Sequence, residues 1–467
     1  MIIRRIKKRL RVESLLPVSS GVWTPRETLM PQLHRSVNGG FVASSNGSRG
    51  CYGGWELAFE VTESLEPVVA SVRVQWADLS RGWDSLEALV QWVAPDGTVQ
   101  SWAPLKNSVK DEQSFVLQSG LLERVPGCRL VMLLLLRWTA TGWAEWRAPQ
   151  ITPATHPNPR RLRLGAGSNP PTSQPVTLTA NRERYLELCH QAGEKEVDLL
   201  CLPETILTQG LPDLSGPRLL DHAVEVPGEH IEPFMKLARQ YKMAMGFSVF
   251  ERAGDLVHNT AVLIDAQGSI ALKYRKVHLA IREAWAGVTP GESFSVTELQ
   301  PIGACVGMNI CMDSSSAESA RLVARLGAEI LLLPIENDFR ATQWARDAER
   351  SKPFSLPRWS VIQRARALDN HLYVVAARIA GVGTGIFGPD GSILAMDYGD
   401  SPLVTADVDL DDLRKHPTGP PYHDVIWFQR REFAYTELAG QSGTTSAARD
   451  GSTPVTGARS PGGVRHD

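Results

Sequence analysis

The hydrophobic rhythm of this chain changes once, near residue 152, and that change limits the architectures open to it. Before it, apolar side chains alternate with more polar ones: Trp55, Leu57, Phe59 and Val61 in one run, Val72, Val74 and Trp76 in another. A period of two turns one face of a strand into a core and leaves the other to solvent. Asp96-Gly97, between Val90–Val93 and Val99–Trp102, is a tight hairpin signal. Nine tryptophans (Trp23, Trp55, Trp76, Trp83, Trp92, Trp102, Trp138, Trp143 and Trp146) crowd this first third, and only four follow. Short strands punctuated by turns predict an antiparallel β-sandwich over residues 20–152, preceded by a basic tail, 1–19. The longest apolar run, Leu130–Leu136, is well short of the roughly 20 residues that cross a bilayer, so it is read as a buried strand.

Past residue 152 a proline-rich stretch, 153–175, is read as a linker. Beyond it, segments with helical spacing (Asn181–Ala192, Ile231–Tyr241) alternate with short, strongly apolar ones: Val197–Leu202, Met243–Phe250, Ala261–Ile264, Ala304–Ile310, Ile330–Leu333 and Leu372–Ala376. That alternation predicts a layered α/β domain over residues 176–438. Residues 439–467 are rich in Gly, Ser, Thr, Pro and Arg and are expected to be a disordered tail.

With 49 basic and 51 acidic residues, the chain has no global field to attract nucleic acid or an anionic membrane. The basic residues among the first eleven are not followed by an apolar stretch and cleavage site, so a secretory signal is not expected. Six cysteines without a CxxC pair suggest neither a disulfide framework nor a zinc site, and a reducing cytoplasm is the expected location.

Three polar residues stand directly after apolar strands, where open α/β sheets present their active sites. Glu204 follows Val197–Pro203, and a carboxylate held against so apolar a run suits general-base work; taken alone it is more often a solvated loop residue. Lys276 ends Leu272–Lys276, and its bland reading is a surface charge. Cys311 closes Gly303–Ile310 and precedes Ser314–Ser316 and a helical segment, Ala317–Leu326. A cysteine at a strand-to-helix turn lies near backbone donors that favour its thiolate. Cys201 and Cys305 lie within strands and are read as small buried hydrophobes.

Each segment is weak alone, but together Leu202-Pro203-Glu204, then Lys273–His278, then Gly307–Asp313, in this order, resemble the Glu-Lys-Cys signature of the nitrilase superfamily, the carbon-nitrogen hydrolases. Asn259–Asp265, Gly327–Pro334, Arg364–Asn370 before Tyr373, and Gly388–Gly391 extend the resemblance across about residues 161–438, but not into the first 150. It implies a four-layer αββα sandwich after the all-β sandwich domain. Cys311 would be nucleophile, Glu204 general base and Lys276 oxyanion stabiliser, with Glu283 as a second catalytic glutamate. Met312, whose N–H would join Lys276, is placed with His278, Asp313 and Asn337 at the substrate; His258 and His371 are read as structural. No metal or organic cofactor is implied, and homo-oligomers are common in the family. The sequence departs from the pattern at Asp369, which replaces the usual Glu, and at Ser314–Ser316, where many members carry aromatic or basic residues.

The resulting expectation is a hydrolase that opens an amide or N-carbamoyl bond of a small molecule through a cysteine thioester. A nitrile substrate is disfavoured because Asp313 stands where true nitrilases carry a Trp-Glu pair, and acyl transfer to an amine is the other alternative. From a different class, the Trp-rich domain would be a carbohydrate- or peptide-binding module, although tryptophans in such numbers more often fill cores and interfaces.

Overall fold

A computed structural model of the chain describes residues 14–61, 67–105, 107–111, 114–155, 158–168, 176–211, 214, 217–336 and 355–414. The described residues fall into two compact units that divide between Ala154 and Thr155. Asn337, the arginine-rich stretch 340–350 and the tail 439–467 lie outside the described residues. No helix among the described residues is long and apolar enough to cross a membrane.

The first unit contains β1 (Ser19–Trp23), β2 (Gln32–Arg35), β3 (Phe41–Ser44), β4 (Tyr52–Phe59), β5 (Val68–Ala77), β6 (Leu86–Val93), β7 (Val99–Pro104), β8 (Asn107–Asp111), β9 (Ser114–Gln118), β10 (Arg129–Arg137) and β11 (Trp143–Pro153). They build a five-stranded sheet, β1-β4-β10-β6-β7, and a six-stranded sheet, β2-β3-β11-β5-β9-β8. The Asp96-Gly97 turn joins β6 to β7, with Gly97 in the left-handed region (φ +87°) and Asp96 accepting from the Thr98 N–H. One core holds Leu57, Val90 and Trp92 of one sheet together with Phe41, Val74 and Trp146 of the other. Strand β10 shows why its sequence is continuously apolar. Leu130, Met132, Leu134 and Leu136 enter that core, while Val131, Leu133 and Leu135 are buried with Leu89 and Val93 on the opposite face.

Two expected boundaries move. Leu15 already exchanges backbone hydrogen bonds with Ile151, so the sandwich begins inside the segment read as a tail. Residues 161–167, read as linker, form a strand. Prolines on both sides of a run of only seven residues hid its apolar alternation.

The second unit contains β12 (Arg161–Gly167), α1 (Leu178–Glu194), β13 (Leu199–Cys201), α2 (Pro217–His222), α3 (Glu232–Tyr241), β14 (Ala244–Ala253), β15 (Leu256–Ile264), β16 (Ile270–Arg275), α4 (Ile281–Trp285), β17 (Val296–Leu299), β18 (Ala304–Met308), α5 (Ala317–Arg325), β19 (Ile330–Ile335), α6 (Leu356–Asn370), β20 (Tyr373–Arg378), β21 (Gly385–Phe387), β22 (Ile393–Met396) and β23 (Leu403–Asp409). Two mixed six-stranded sheets result, β16-β15-β14-β13-β12-β23 and β17-β18-β19-β20-β21-β22. Their facing sides share one core, with Leu164, Cys201 and Leu263 from the first meeting Met308, Leu332 and Val375 from the second. Tyr185 and Leu188 of α1 and Phe234 and Leu237 of α3 cover the outer face of the first sheet. Helices α5 and α6 lie against β18 and β20 on the outside of the second. The unit is therefore the expected αββα sandwich.

The sheets approach closely at Gly246 in β14. A Cβ there would lie 2.6 Å from Leu332 Cδ1 and 2.9 Å from Met308 Cε. Helix α1 starts at a Thr177 cap whose Oγ1 accepts from the Ala180 N–H.

Candidate active site

Lys276 follows the last residue of β16 and is buried to 1 % exposure. A charge that deep needs partners, and it has two: its Nζ donates to Glu204 Oε1 at 2.8 Å and to Glu283 Oε2 at 2.6 Å. Burial opposes its charge, but the interactions with Glu204, Cys311 and Glu283 outweigh it and hold the ammonium protonated well above the usual lysine range.

Glu204 lies just beyond β13. Pro203 carries no N–H to continue the strand, and Thr205 then enters the left-handed region at φ +47°. The Thr205 N–H donates to Ser248 Oγ, and Gln209 Nε2 donates to the Glu204 carbonyl. Gln209 is itself held by the Tyr185 hydroxyl and, through its own carbonyl, by Asn181. The Glu204 carboxylate is thus aimed by its loop. Oε2 accepts the backbone N–H of Glu336, at the end of β19, and Oε1 accepts Asn259 Nδ2, each at 2.8 Å.

Glu283 projects from α4, where its Oε2 accepts the Ala280 N–H and its Oε1 accepts Asn259 Nδ2 at 2.7 Å. Burial first, and then the charge of Glu204, push its carboxyl above the usual range, with Lys276 and Asn259 pulling it back. A single amide, Asn259 of β15, therefore bridges two acids that share one ammonium.

Cys311 opens a 3-10 turn, Cys311–Ser315, with φ +41°. A non-glycine residue there is uncommon and strained, and such positions cluster at functional sites. It is half-buried, unlike Cys51, Cys189 and Cys201, whose thiols are pushed up by burial. Cys305 is pushed up to about 11 by burial and by the charges of Glu329 and Glu298. An acid and an ammonium thus meet within the field of a sulfur, at the carboxyl ends of strands from both sheets, an arrangement able to move a proton off a thiol and to stabilise negative charge on an acyl oxygen.

Two residues expected at the substrate are bonded to each other. Asp313 is fully buried; its Oδ2 accepts the Tyr274 hydroxyl and the Ile310 N–H, and its Oδ1 accepts the His278 N–H and lies 2.9 Å from His278 Nδ1. With four partners inside the protein, its carboxylate fixes the nucleophile turn rather than facing a ligand. His278 is a half-exposed member of that clamp, and the hydrogen bond to Asp313 raises its pKa. Met312 follows Cys311 in the turn, where its sulfur accepts from Ser315 Oγ. His258 lies 2.8 Å from the Thr289 carbonyl and His371 2.9 Å from that of Leu413, both structural. Reading the sequence missed Asn259 and Glu336 as members of the site. Asn259 carries a signal, an amide leading into an apolar strand, whereas Glu336 carries none.

The sequence matches the model of the carbon-nitrogen hydrolases over residues 166–418, more than half of the chain. The chain belongs to the carbon-nitrogen hydrolase family. It is 28% identical over 250 residues to the omega-amidase NIT2 of Xenopus tropicalis, covering 50% of this chain and 83% of that one. It is 27% identical over 238 residues to the deaminated glutathione amidase of Dictyostelium discoideum, covering 47% and 74%. In fold it resembles a carbon-nitrogen hydrolase from Helicobacter pylori G27, with TM-score 0.51, 24% identity, and 60% of this chain and 99% of that one covered. The nitrilase-superfamily resemblance is thereby established, and this carbon-nitrogen hydrolase is an enzyme for non-peptide bonds. Among its described residues no cluster of His, Cys, Asp and Glu is arranged to hold a metal.

Proposed function

We propose that this carbon-nitrogen hydrolase cleaves a small-molecule amide or N-carbamoyl bond through a thioester on Cys311. The observation that carries the reading is the shared ammonium: Lys276 is bonded to Glu204 and Glu283 at once and sits within the field of the Cys311 sulfur. In the first half-reaction Glu204 takes the Cys311 proton and the thiolate attacks the carbonyl carbon. The oxygen gains negative charge, stabilised by Lys276 and by the Met312 N–H, and a donor of this kind contributes about 3–4 kcal/mol. The carbon–nitrogen bond breaks as Glu204 returns the proton to the leaving nitrogen. Water then attacks the thioester, its proton passing to Glu204, and the carboxylic acid leaves as the thiol is restored. Glu283 keeps Lys276 charged and aimed throughout. The amidase names of the two relatives favour an amide over a nitrile.

The test is a panel of simple amides, N-carbamoyl compounds and nitriles, with acid and ammonia measured and the mass of Cys311 followed. Acyl-adduct formation at Cys311 and release of acid by the wild type, both lost in Cys311→Ala, are expected. Turnover that survives Cys311→Ala, or a panel on which the wild type releases nothing, would overturn the reading.

A further inference from the structure

The proposed chemistry accounts for Glu204, Lys276, Glu283 and Cys311 but not for Glu336. This residue follows β19, and its backbone N–H reaches Glu204 Oε2 at 2.8 Å, so its own Cα stands beside the reacting groups. Its side chain is exposed to solvent. Nevertheless it feels Glu204, Lys276 and Glu283 from the floor of the site and Arg282 from α4. The Glu336 carboxylate is thus open to solvent and within the field of the reacting groups at once. Crowding by protein first, and the negative Glu204 and Glu283 next, raise its carboxyl to about 7, against the pull of Lys276 and Arg282.

The charges around the scissile position are unbalanced. Among the described residues three carboxylates, Glu204, Glu283 and Glu336, face one buried ammonium that two of them already bind. The turn after the nucleophile offers no cation, since Met312, Asp313 and Ser314–Ser316 fill it, and Asp313 is consumed by its own clamp. Arg282 is exposed and is the other cation that pulls on Glu336. An anionic substituent on the acyl chain would meet like charge there, whereas a cationic one would find a carboxylate that no side chain among the described residues binds.

We infer that Glu336 is a specificity-determining residue that receives a cationic group, such as a primary ammonium, on the acyl portion of the substrate. This inference rests on the amide reading above, and the test separates the two. The full-length enzyme is assayed on three amides of matched length, 5-aminopentanamide, hexanamide and adipamate. The expected order in kcat/KM is cationic, neutral, anionic, with the cationic amide ahead of the neutral one by about tenfold, the value of one charge-assisted contact. In Glu336→Gln that ratio collapses toward unity, mainly through KM of the cationic amide. Taking the ratio cancels ionisations common to both substrates. In the wild type it therefore rises as pH increases through about 7, where Glu336 ionises, and this rise is absent from the variant. Hydrolysis of all three amides without charge preference, or a preference that Glu336→Gln leaves intact, overturns the role of Glu336 and leaves the amide reading standing. Failure to hydrolyse any of them, or any amide in the wider panel, overturns the amide reading itself.

Discussion

Strain and satisfaction are concentrated at single residues of this site. Cys311 and Thr205 both occupy the left-handed region, each where a strand gives way to a turn that carries a reacting group. An L-residue there costs about 1–2 kcal/mol relative to glycine. Cys311→Gly and Cys311→Ala are both expected to be inactive, yet the glycine variant should be the more stable by about 1 kcal/mol in urea unfolding; equal midpoints would show that the turn is unstrained. Asn259 joins Glu204 to Glu283 with one amide. Replacing it by leucine leaves the buried Glu204 and the part-buried Glu283 short of a donor, a loss of about 1–3 kcal/mol. Because Asn259 holds the Glu283 carboxyl down, its removal moves that group higher still. The acid limb of the pH–rate profile should accordingly shift upward, and an unshifted limb would separate Glu283 from the kinetics.

Between elements, the decisive joint is the one that ties the nucleophile turn to the end of β16. Asp313 makes it, gripping the Tyr274 hydroxyl and the His278 ring at once. The hydrogen bond raises the folded pKa of His278 above its ordinary 6.5. A raised histidine pKa contributes stability that is fully present below the unfolded value and is lost as pH rises through the folded one. The difference in unfolding free energy between wild type and His278→Gln is therefore expected to be largest below pH 6.5 and to shrink as pH increases. A constant difference across that range would mean the contact is neutral. Tyr274, buried under the same clamp, keeps its hydroxyl protonated and serves as a donor throughout.

At the scale of the molecule, two cores are built by different rules. In the αββα unit the sheets meet through Gly246, and Gly246→Ala would press a methyl against Leu332 and Met308. Both contacts are ends of flexible side chains, so a cost of about 1–3 kcal/mol is expected rather than collapse. Of the strands being pushed apart, β18 and β19 lead into Cys311 and Glu336, and β14 pairs with β13, which leads into Glu204, so kcat/KM should fall along with stability. In the sandwich unit, Trp146 is completely buried between the sheets. Trp146→Ala should cost about 3–5 kcal/mol. With the chain divided into two compact units, calorimetry is expected to show one transition shifted by that change and another left in place; a single transition moving as a whole would show that the units unfold together.

Much of this was legible in local order along the chain. The period-two run of the first third, the hairpin at Asp96-Gly97, the apolar strands Ala304–Ile310 and Ile330–Leu333, and the placement of Glu204, Lys276 and Cys311 beyond strand ends are all consequences of backbone periodicity, which a sequence states directly. What the sequence leaves open is the assignment of polar side chains to partners. Asp313 and Glu336 are both acids that follow a strand, yet one is locked by four hydrogen bonds and the other is open to solvent. The partners that decide between these fates, Tyr274, His278 and Glu204, lie from 35 to 132 residues away. Periodicity is a property of neighbours in the chain, whereas the fate of a buried charge is set by neighbours in space, and only the folded sheets bring those together.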